Sequence, residues 1–283
     1  MVITVRELKR AVQALLEQAG IENAAWEAGV LTAFCLSQEV NRLPLLYDRP
    51  AEESAVRRAL EMARRRAEHY PLQYLLGEWD FYGRRFAVGE GVLIPRQDTE
   101  LLCEVSLELL KDKPGAKVLD LCSGSGCVAV TLKKERPDLQ VAALEKSQKA
   151  LCYLRQNAEQ NGAELEILEA DALAPPGELT GIDLIACNPP YLTRTDMDAL
   201  QKEVSFEPSM ALYGEEDGLF FYRELTRIYR PRLNDGGALC YEIGMGQQDA
   251  VAEWMLEQGF TDICFHRDLC GIIRTICGTA GGR

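Results

Sequence analysis

The first 70 residues place apolar side chains at helical spacing, which predicts three helices. The first begins at a capping box formed by Thr4 and Glu7. The second is predicted over residues 23–37 and the third over residues 52–69. The positions predicted to face the core are Leu8, Val12, Leu15, Leu16, Trp26, Val30, Leu31, Phe34, Ala59, Leu60 and Ala63. Residues 1–70 are therefore predicted to form a small helical bundle.

Arginines cluster on the third predicted helix, and the pattern turns them largely outward. Such a cluster is either a docking patch for a partner or a solvated helix face, and the sequence leaves both interpretations open. The residues are Arg57, Arg58, Arg64, Arg65 and Arg66.

The pattern changes over residues 71–95, where aromatic and polar positions alternate loosely between glycines. This alternation predicts a β-hairpin linker. Residues 94–100 open a helix that is predicted to end near Leu110.

From Lys117 onward, apolar runs alternate with helical patterns, which is typical of a doubly wound α/β sheet. Helices are predicted from the end of the loop after the first strand through Lys134, over about 147–161 and over about 217–230. Ligands bind such sheets at the carboxyl ends of the strands. The last two predicted strands are only about three residues apart, so they are expected to pair as an antiparallel hairpin. The predicted strands cover residues 118–121, 141–145, 165–168, 182–187, 238–243, 261–267 and 271–277.

Asn188-Pro189-Pro190-Tyr191 directly follows the fourth predicted strand. The prolines cannot continue a ladder, and they stiffen the chain around the asparagine. The Asn188 carboxamide oxygen and the Pro189 carbonyl can each accept one N–H bond of a planar –NH2 group, while Tyr191 packs on its flat face. Taken alone, the four residues equally suit an ordinary tight turn.

A loop of small residues follows the first predicted strand, and an acid, Glu145, ends the second. The glycines of the loop permit close approach of a ligand to the backbone, and Glu145 stands where an acid accepts hydrogen bonds from both ribose hydroxyls of a nucleoside cofactor. The loop is not Gly-x-Gly-x-x-Gly, which favours S-adenosylmethionine over a dinucleotide. The predicted cofactor-binding residues are Cys122, Ser123, Gly124, Ser125, Gly126, Glu145, Asp171, Ala172 and Asn188, with Asp171 and Ala172 expected to border the adenine.

Composition and charge narrow the possible classes. Only two histidines occur, which excludes a histidine-rich metal site, and no metal is expected. None of the ten cysteines forms a Cys-x-x-Cys pair, which indicates buried thiols in a reducing cytoplasm. Residues 76–283 carry the whole net charge of −13, an acidic body poorly suited to stable nucleic-acid binding. The hydrophobic runs predict neither a membrane span nor a signal peptide.

Several motifs occur in an order that resembles the HemK (PrmC) family of peptide chain release factor glutamine methyltransferases. They are Pro71-Leu72-Gln73-Tyr74-Leu75-Leu76-Gly77, Ile94-Pro95-Arg96 with Asp98-Thr99-Glu100, Asp120-Leu121 with Ser123-Gly124-Ser125-Gly126, Asn188-Pro189-Pro190-Tyr191, Glu207-Pro208, and Asp217-Gly218-Leu219 with Phe221-Tyr222. The sequence departs from the family pattern at three positions. Cys122 replaces the usual first glycine of the loop, Gln97 replaces a common proline, and Glu145 stands where many members have aspartate.

The resemblance implies a Rossmann-like methyltransferase domain over residues 96–283, behind a helical substrate-docking domain over residues 1–70. It also implies methylation of the glutamine in the Gly-Gly-Gln tripeptide of class I release factors. Asn188, Pro189 and Tyr191 are then the expected catalytic residues, and Pro190 completes the expected substrate site.

Two other functions fit parts of the pattern. A nucleic-acid adenine methyltransferase would use the same four residues for an exocyclic amine, but the acidic catalytic half and the lack of a separate basic recognition domain speak against it. A non-catalytic regulator that binds S-adenosylmethionine would have no use for Asn188 and Tyr191 in this arrangement.

Overall fold

The computed structural model describes residues 3–281, which form two compact units. The first contains the chain up to Gly77 together with a later segment, Gln201–Phe206. The second contains Glu78–Leu200 and the chain from Glu207 onward. The first unit is therefore built from two separate stretches of sequence.

The first unit is helical, and it contains the three helices that the periodicity predicts. The capping box at Thr4 is formed, with the Thr4 side chain accepting from the Glu7 N–H and the Glu7 side chain accepting from the Thr4 N–H. Two further short helices were not predicted, one of them within the region assigned to the hairpin linker. The helices are α1 Val5–Gln18, α2 Ala24–Cys35, α3 Leu43–Leu46, α4 Glu53–Ala67 and α5 Leu72–Leu76.

Helix α2 buries only part of the face that was predicted to be inward. Leu31 is buried, but Trp26 is 54% and Phe34 37% exposed, so the expectation that these aromatic residues are buried is wrong. The helix is apolar on nearly every side, so periodicity does not identify its inner face. An acidic residue, Glu27, takes a buried position instead.

Glu27 is buried because Arg66 pairs with it. The Arg66 Nε donates to Glu27 Oε2 over 2.5 Å, and Nη2 donates to Glu27 Oε1 over 3.0 Å. The same Nη2 donates to Glu203 Oε1 at 2.5 Å, which ties the later segment into this unit. The expectation that Arg66 points outward is therefore wrong, since only 3% of it is exposed, whereas Arg57, Arg64 and Arg65 are exposed.

The second unit is a seven-stranded sheet with helices around it, as predicted for a Rossmann-like fold. The strand order is β5-β4-β3-β6-β7-β9-β8, in which β9 runs antiparallel to both neighbours and the other pairs are parallel. The strands are β3 Lys117–Leu121, β4 Gln140–Glu145, β5 Glu166–Glu169, β6 Ile182–Cys187, β7 Leu233–Glu242, β8 Phe260–Arg267 and β9 Ile273–Ala280. The predicted antiparallel pairing of the last two strands is confirmed.

Helices cover this sheet and connect its strands. The helices predicted to end near Leu110 and Lys134 are present, as are those predicted over about 147–161 and 217–230, whereas two others were not predicted. The helices are α6 Asp98–Leu109, α7 Cys127–Glu135, α8 Gln148–Gln160, α9 Arg194–Asp198, α10 Phe220–Tyr229 and α11 Gln248–Glu257.

A β-hairpin precedes α6 and contributes to the core of the second unit. Its strands β1 Glu78–Phe81 and β2 Arg84–Ala87 pair antiparallel. Phe81 and Phe86 are buried with their rings edge to face at 5.9 Å, in the same cluster as residues of α6 and α7.

All ten cysteines lie within the described residues and are free thiols. Cys187 and Cys240 are fully buried, as their apolar surroundings in the sequence predict. Between residues 3 and 281, no helix has both the length and the apolar character needed to cross a bilayer.

Replacing Arg66 with leucine should destabilise the first unit by about 3–5 kcal/mol, because it leaves the buried Glu27 carboxylate without its partner. Hydrogen exchange of the α2 and α4 amides would measure the loss. The matched control is Arg64→Leu, an exposed arginine of the same helix, for which protection should stay nearly unchanged. Equal effects of the two changes would contradict a structural role for the Arg66–Glu27 pair, while adding Glu27→Leu to Arg66→Leu should recover much of the lost protection.

Candidate functional site

The register of the parallel strands brings the predicted site residues to one edge of the sheet. Leu121 of β3 is the partner of both Leu144 of β4 and Cys187 of β6, and Cys187 is in turn the partner of Tyr241 of β7. The next residue of each strand therefore belongs to one row at the carboxyl edge. Those residues are Cys122, Glu145, Asn188 and Glu242.

Glu145 organises the loop that follows β3. Its Oε2 accepts from the Gly124 N–H over 2.8 Å. Its Oε1 accepts from the Lys146 and Ser147 N–H groups, over 2.8 and 2.7 Å. Only 8% of Glu145 is exposed, so these bonds fix the carboxylate at the wall of the site.

The two glycines of the loop have different tasks. A Cβ on Gly126 would lie 2.3 Å from Leu154 Cδ1, so this glycine permits α8 to pack against the start of α7. At Gly124, a Cβ would meet nothing closer than 3.9 Å, so the close approach expected of a ligand concerns Gly124 alone.

Cys122 adopts a left-handed backbone with φ of 56°. A side chain in that conformation costs roughly 1–2 kcal/mol relative to glycine. The family that the sequence resembles usually has glycine at this position, so the cysteine introduces backbone strain at the start of the loop.

Asp120 lies under the same loop and was not predicted as a site residue. Its carboxylate accepts from the Ser123 hydroxyl and, over 3.1 Å, from the Ala129 N–H. Burial raises the pKa of Asp120 to about 7, although both hydrogen bonds oppose the shift. Its signal in the sequence was an acid inside an otherwise apolar strand.

One cavity of about 480 Å³ opens along this edge of the second unit. Most of the predicted site residues line it, whereas Gly126, Pro189 and Tyr191 do not. The lining residues among those predicted are Cys122, Ser123, Gly124, Ser125, Glu145, Asp171, Ala172, Asn188 and Pro190. Cofactor-bound enzymes commonly use cavities of this size, with a few polar groups on an apolar wall.

Asp171 is already engaged within the cavity wall. Its Oδ2 accepts from Lys146 Nζ over 2.6 Å, and its Oδ1 accepts from the Leu173 N–H over 2.9 Å. The lysine is 59% exposed, so the pair is solvated on one side.

Hydrogen bonds from the Gln247 side chain fix the backbone after Asn188. Gln247 Nε2 donates to the Tyr191 carbonyl over 3.0 Å and to the Gly218 carbonyl over 3.2 Å. Gly218 has φ of 70°, and a Cβ there would lie 2.3 Å from the Tyr191 carbonyl oxygen. The Asp217-Gly218-Leu219 motif therefore supports Asn188-Pro189-Pro190-Tyr191 from behind.

Tyr191 is half buried and packs against the apolar cluster beneath the sheet edge. Burial raises the pKa of its hydroxyl far above the ordinary value, so the ring is a neutral phenol at physiological pH. The prolines before it are both buried.

Two residues behind Asn188 were missed as site residues. Asn188 Nδ2 donates to Thr99 Oγ1 over 3.2 Å, and Thr99 Oγ1 donates to Glu242 Oε2 over 2.6 Å. Thr99 lies in the first turn of α6, and Glu242 ends β7. Glu242 carried the same signal in the sequence as Glu145, an acid at the end of an apolar strand.

Another buried acid, Glu207, explains two further motifs. Glu207 accepts from the Arg96 guanidinium through Oε1 and from the Ile94 N–H through Oε2, the latter over 2.9 Å. Glu207 is buried, and Arg96 lines the cavity. Glu207 thus links two motifs, Ile94-Pro95-Arg96 and Glu207-Pro208, in one contact.

The described residues contain no cluster of three or more histidine, cysteine or acidic residues that could hold a metal ion.

Known protein families match two regions of the chain. Residues 98–207 match the methyltransferase small domain family, and residues 7–77 match the PrmC N-terminal domain family. The release factor glutamine methyltransferase of Geobacter sulfurreducens is 38% identical over 98% of this chain and 97% of that protein. The protein of the same name from Thermodesulfovibrio yellowstonii is 36% identical over 86% of this chain and 88% of that protein.

A solved methyltransferase structure has a similar fold. The ribosomal protein L11 methylase of Lactobacillus delbrueckii subsp. bulgaricus is 18% identical, with a TM-score of 0.50 over 69% of this chain and 84% of that chain. At this identity the likeness concerns the methyltransferase fold alone.

Glu145→Ala should weaken binding of S-adenosylmethionine, the expected cofactor, by roughly 1.5–3 kcal/mol, the range for loss of hydrogen bonds to a charged group. Isothermal titration calorimetry measures this loss. Glu169, the exposed β5 partner of Glu145 in the sheet register, lies outside the cavity lining and provides the control Glu169→Ala. Unchanged affinity in Glu145→Ala would remove Glu145 from the cofactor site.

Gly218→Ala should displace the Tyr191 backbone and lower the methylation rate, because the new Cβ collides with a carbonyl oxygen. Gly236→Ala is a matched control, since Gly236 has nearly the same φ, 72°, and nothing within 4 Å of its Cβ position. Both variants share a cost of about 1 kcal/mol in folding stability from the backbone conformation, which thermal unfolding measures. A larger loss of turnover in Gly218→Ala than in Gly236→Ala therefore reports the collision with Tyr191. If Gly236→Ala lowers turnover as much as Gly218→Ala, the proposed support by Gly218 is wrong.

Proposed function

The chain belongs to the family of release factor glutamine methyltransferases, and we propose that it uses S-adenosylmethionine to methylate the side-chain amide nitrogen of the Gly-Gly-Gln glutamine in class I release factors. The observation that carries the proposal is a single cavity whose wall contains both Glu145 with its loop and Asn188. A cofactor and an acceptor amide bound there would lie side by side.

The polar groups of the cavity fit S-adenosylmethionine. Its sulfonium and ammonium groups are positive, and the carboxylates of Asp120, Glu145 and Asp171 line the cavity. Carboxylate oxygens also suit the ribose hydroxyls. When bound, the cofactor supplies an electrophilic methyl group on sulfur, so we propose that the loop after β3 and Glu145 hold it beside Asn188.

An amide nitrogen is a weak nucleophile, because its lone pair is delocalised into the carbonyl group. The chain therefore has to orient the glutamine amide and stabilise the charge that develops as it loses planarity. We propose that the Asn188 side-chain oxygen and the Pro189 carbonyl each accept one N–H bond of the glutamine. Tyr191 is proposed to pack on the amide, with Pro190 keeping the backbone stiff. The proton can leave after methyl transfer, so no strong general base is required.

The helical unit is proposed to dock the remainder of the release factor. Its surface carries Trp26, which is 54% exposed, and Phe34, which is 37% exposed. It also carries three exposed arginines, Arg57, Arg64 and Arg65. Exposed aromatic and arginine side chains are the types that dominate protein interfaces. Since release factors act during translation, we propose that the enzyme works in the cytoplasm.

Asn188→Ala should reduce single-turnover methylation of release factor by roughly 100- to 1,000-fold, equivalent to about 2.7–4 kcal/mol for one preorganised polar contact. Asn188→Asp should also lose activity, because it replaces the amide donor to Thr99 with a second carboxylate on a hydroxyl that already bonds Glu242. Both variants should still bind S-adenosylmethionine.

Asn161→Ala is the control, since Asn161, which follows α8, donates to the backbone carbonyls of Arg85 and Asn157 and lies outside the cavity lining. Its methylation rate should match that of the unmodified chain. The assay offers release factor and DNA in parallel with labelled cofactor. Methyl transfer to DNA alone would refute the proposed function, and Asn188→Ala within a few-fold of the unmodified rate would refute the assignment of the acceptor site.

A further inference from the structure

Three side chains form a hydrogen-bonded chain that runs inward from the acceptor site. Asn188 lines the cavity, and its Nδ2 donates to Thr99 Oγ1 over 3.2 Å. The Thr99 hydroxyl donates to Glu242 Oε2 over 2.6 Å. Thr99 is 3% and Glu242 2% exposed, so solvent does not replace either bond.

The direction of this chain decides which end of the Asn188 carboxamide faces the cavity. A carboxylate only accepts hydrogen bonds, so ionised Glu242 takes the single hydroxyl proton of Thr99. The Thr99 oxygen then has lone pairs but no proton left, and it can only accept from Asn188. The amide nitrogen of Asn188 is thereby turned inward, and its oxygen is left for the cavity.

We propose that Glu242 and Thr99 are positioning residues, which keep the Asn188 oxygen directed at the N–H group of the acceptor amide. The inference rests on the proposed function, since it concerns the same acceptor site. Thr99 also lines the cavity, and we assign both residues a role that they exert through Asn188. Without them the carboxamide could present its –NH2 group to the substrate –NH2 group, where two donors face each other and no hydrogen bond forms.

Protonation of Glu242 would reverse the chain. The protonated carboxyl donates to Thr99, and the Thr99 proton is then best used on an acceptor, the Asn188 oxygen, because an unsatisfied buried donor is costly. The carboxamide has to rotate to offer that oxygen, and its nitrogen then faces the substrate. The active arrangement therefore requires ionised Glu242.

This protonation falls in an accessible pH range. Burial raises the pKa of Glu242 to about 7. The charge of Asp98 also raises this pKa, whereas the hydrogen bond from Thr99, the charge of Arg274 and a hydrogen bond from Asn188 lower it. The other titratable groups that interact with Glu242 are Tyr191, Tyr222, Cys103, Cys127 and Cys187, all of which are neutral near pH 7 because burial raises their pKa values. Glu242 is thus the group in this cluster expected to change charge near neutrality.

The first experiment compares Thr99→Val, which removes the hydroxyl but keeps the shape, with Thr99→Ser, which restores a hydroxyl. In Thr99→Val, kcat for release factor methylation should fall by roughly 100-fold, the loss expected when a reacting group is misaligned. KM and the affinity for S-adenosylmethionine should change by less than about threefold, and Thr99→Ser should recover most of kcat.

Thr226→Val is the matched control. The Thr226 hydroxyl is equally buried and hydrogen-bonds the Tyr241 hydroxyl over 3.2 Å, outside the cavity lining. This variant should lose stability without losing kcat. A merely structural role of Thr99 would instead give Thr99→Val and Thr226→Val the same kinetic behaviour, which would overturn the proposal.

The second experiment is the pH profile of kcat at saturating cofactor. For the unmodified chain, kcat should rise about tenfold between pH 6 and pH 8 as one group near 7 loses its proton. In Glu242→Gln this rise should be much smaller, because the position no longer ionises. Asp120, which titrates in the same range, is intact in both proteins, so the difference between the profiles reports Glu242.

The outcomes are distinct. If the unmodified chain methylates release factor and Thr99→Val retains kcat within about threefold, the positioning role is wrong while the proposed function stands. If the unmodified chain does not methylate release factor, the proposed function itself fails. An unchanged pH profile in Glu242→Gln would likewise overturn the proposal, and should that variant not fold, the comparison of Thr99→Val with Thr99→Ser decides alone.

Discussion

The site depends on the register of four parallel strands. In a parallel sheet the carboxyl ends of neighbouring strands meet at one edge, so residues far apart in sequence become neighbours if each strand ends at the same level. Here β3, β4, β6 and β7 end together, with Leu121, Leu144, Cys187 and Tyr241 in one register. A shift of one residue in β6 would turn Asn188 to the other face of the sheet and remove it from the cavity. The packed core beneath these strands therefore determines the acceptor geometry.

Periodicity predicted the strands on which this register depends. Once a strand is predicted, the residue at its carboxyl end is placed at the edge of the sheet. This is why Asn188 and Glu145 could be proposed from the sequence. Roles that depend on which side chain faces which were not predictable in the same way. Gly126 looked like a ligand-facing glycine until Leu154 was seen opposite its Cβ position, and Thr99 joins the site only because α6 begins against the end of β7.

The helical unit illustrates the same limit. In α2, hydrophobic residues occupy most positions, so hydrophobicity alone could not show that Glu27 faces inward. Only its partner Arg66, 39 positions later in the chain, makes that burial favourable. Pairing between distant charged residues carries no periodic signal, and an arginine-rich helix looks uniformly solvated in the sequence.

The segment Gln201–Phe206 belongs to the helical unit although it lies between β6 and β7 in sequence. The polypeptide thus passes from one unit to the other three times, at Gly77, at Leu200 and at Phe206. Arg66 receives its second carboxylate from Glu203, and the ring of Tyr70 stacks edge to face on Phe206 at 5.2 Å. During synthesis on the ribosome, the helical unit is therefore incomplete until more than 200 residues have been made. Its completion requires translation of a segment that begins ten positions after Tyr191, so neither unit could be exchanged in evolution as one continuous stretch of sequence.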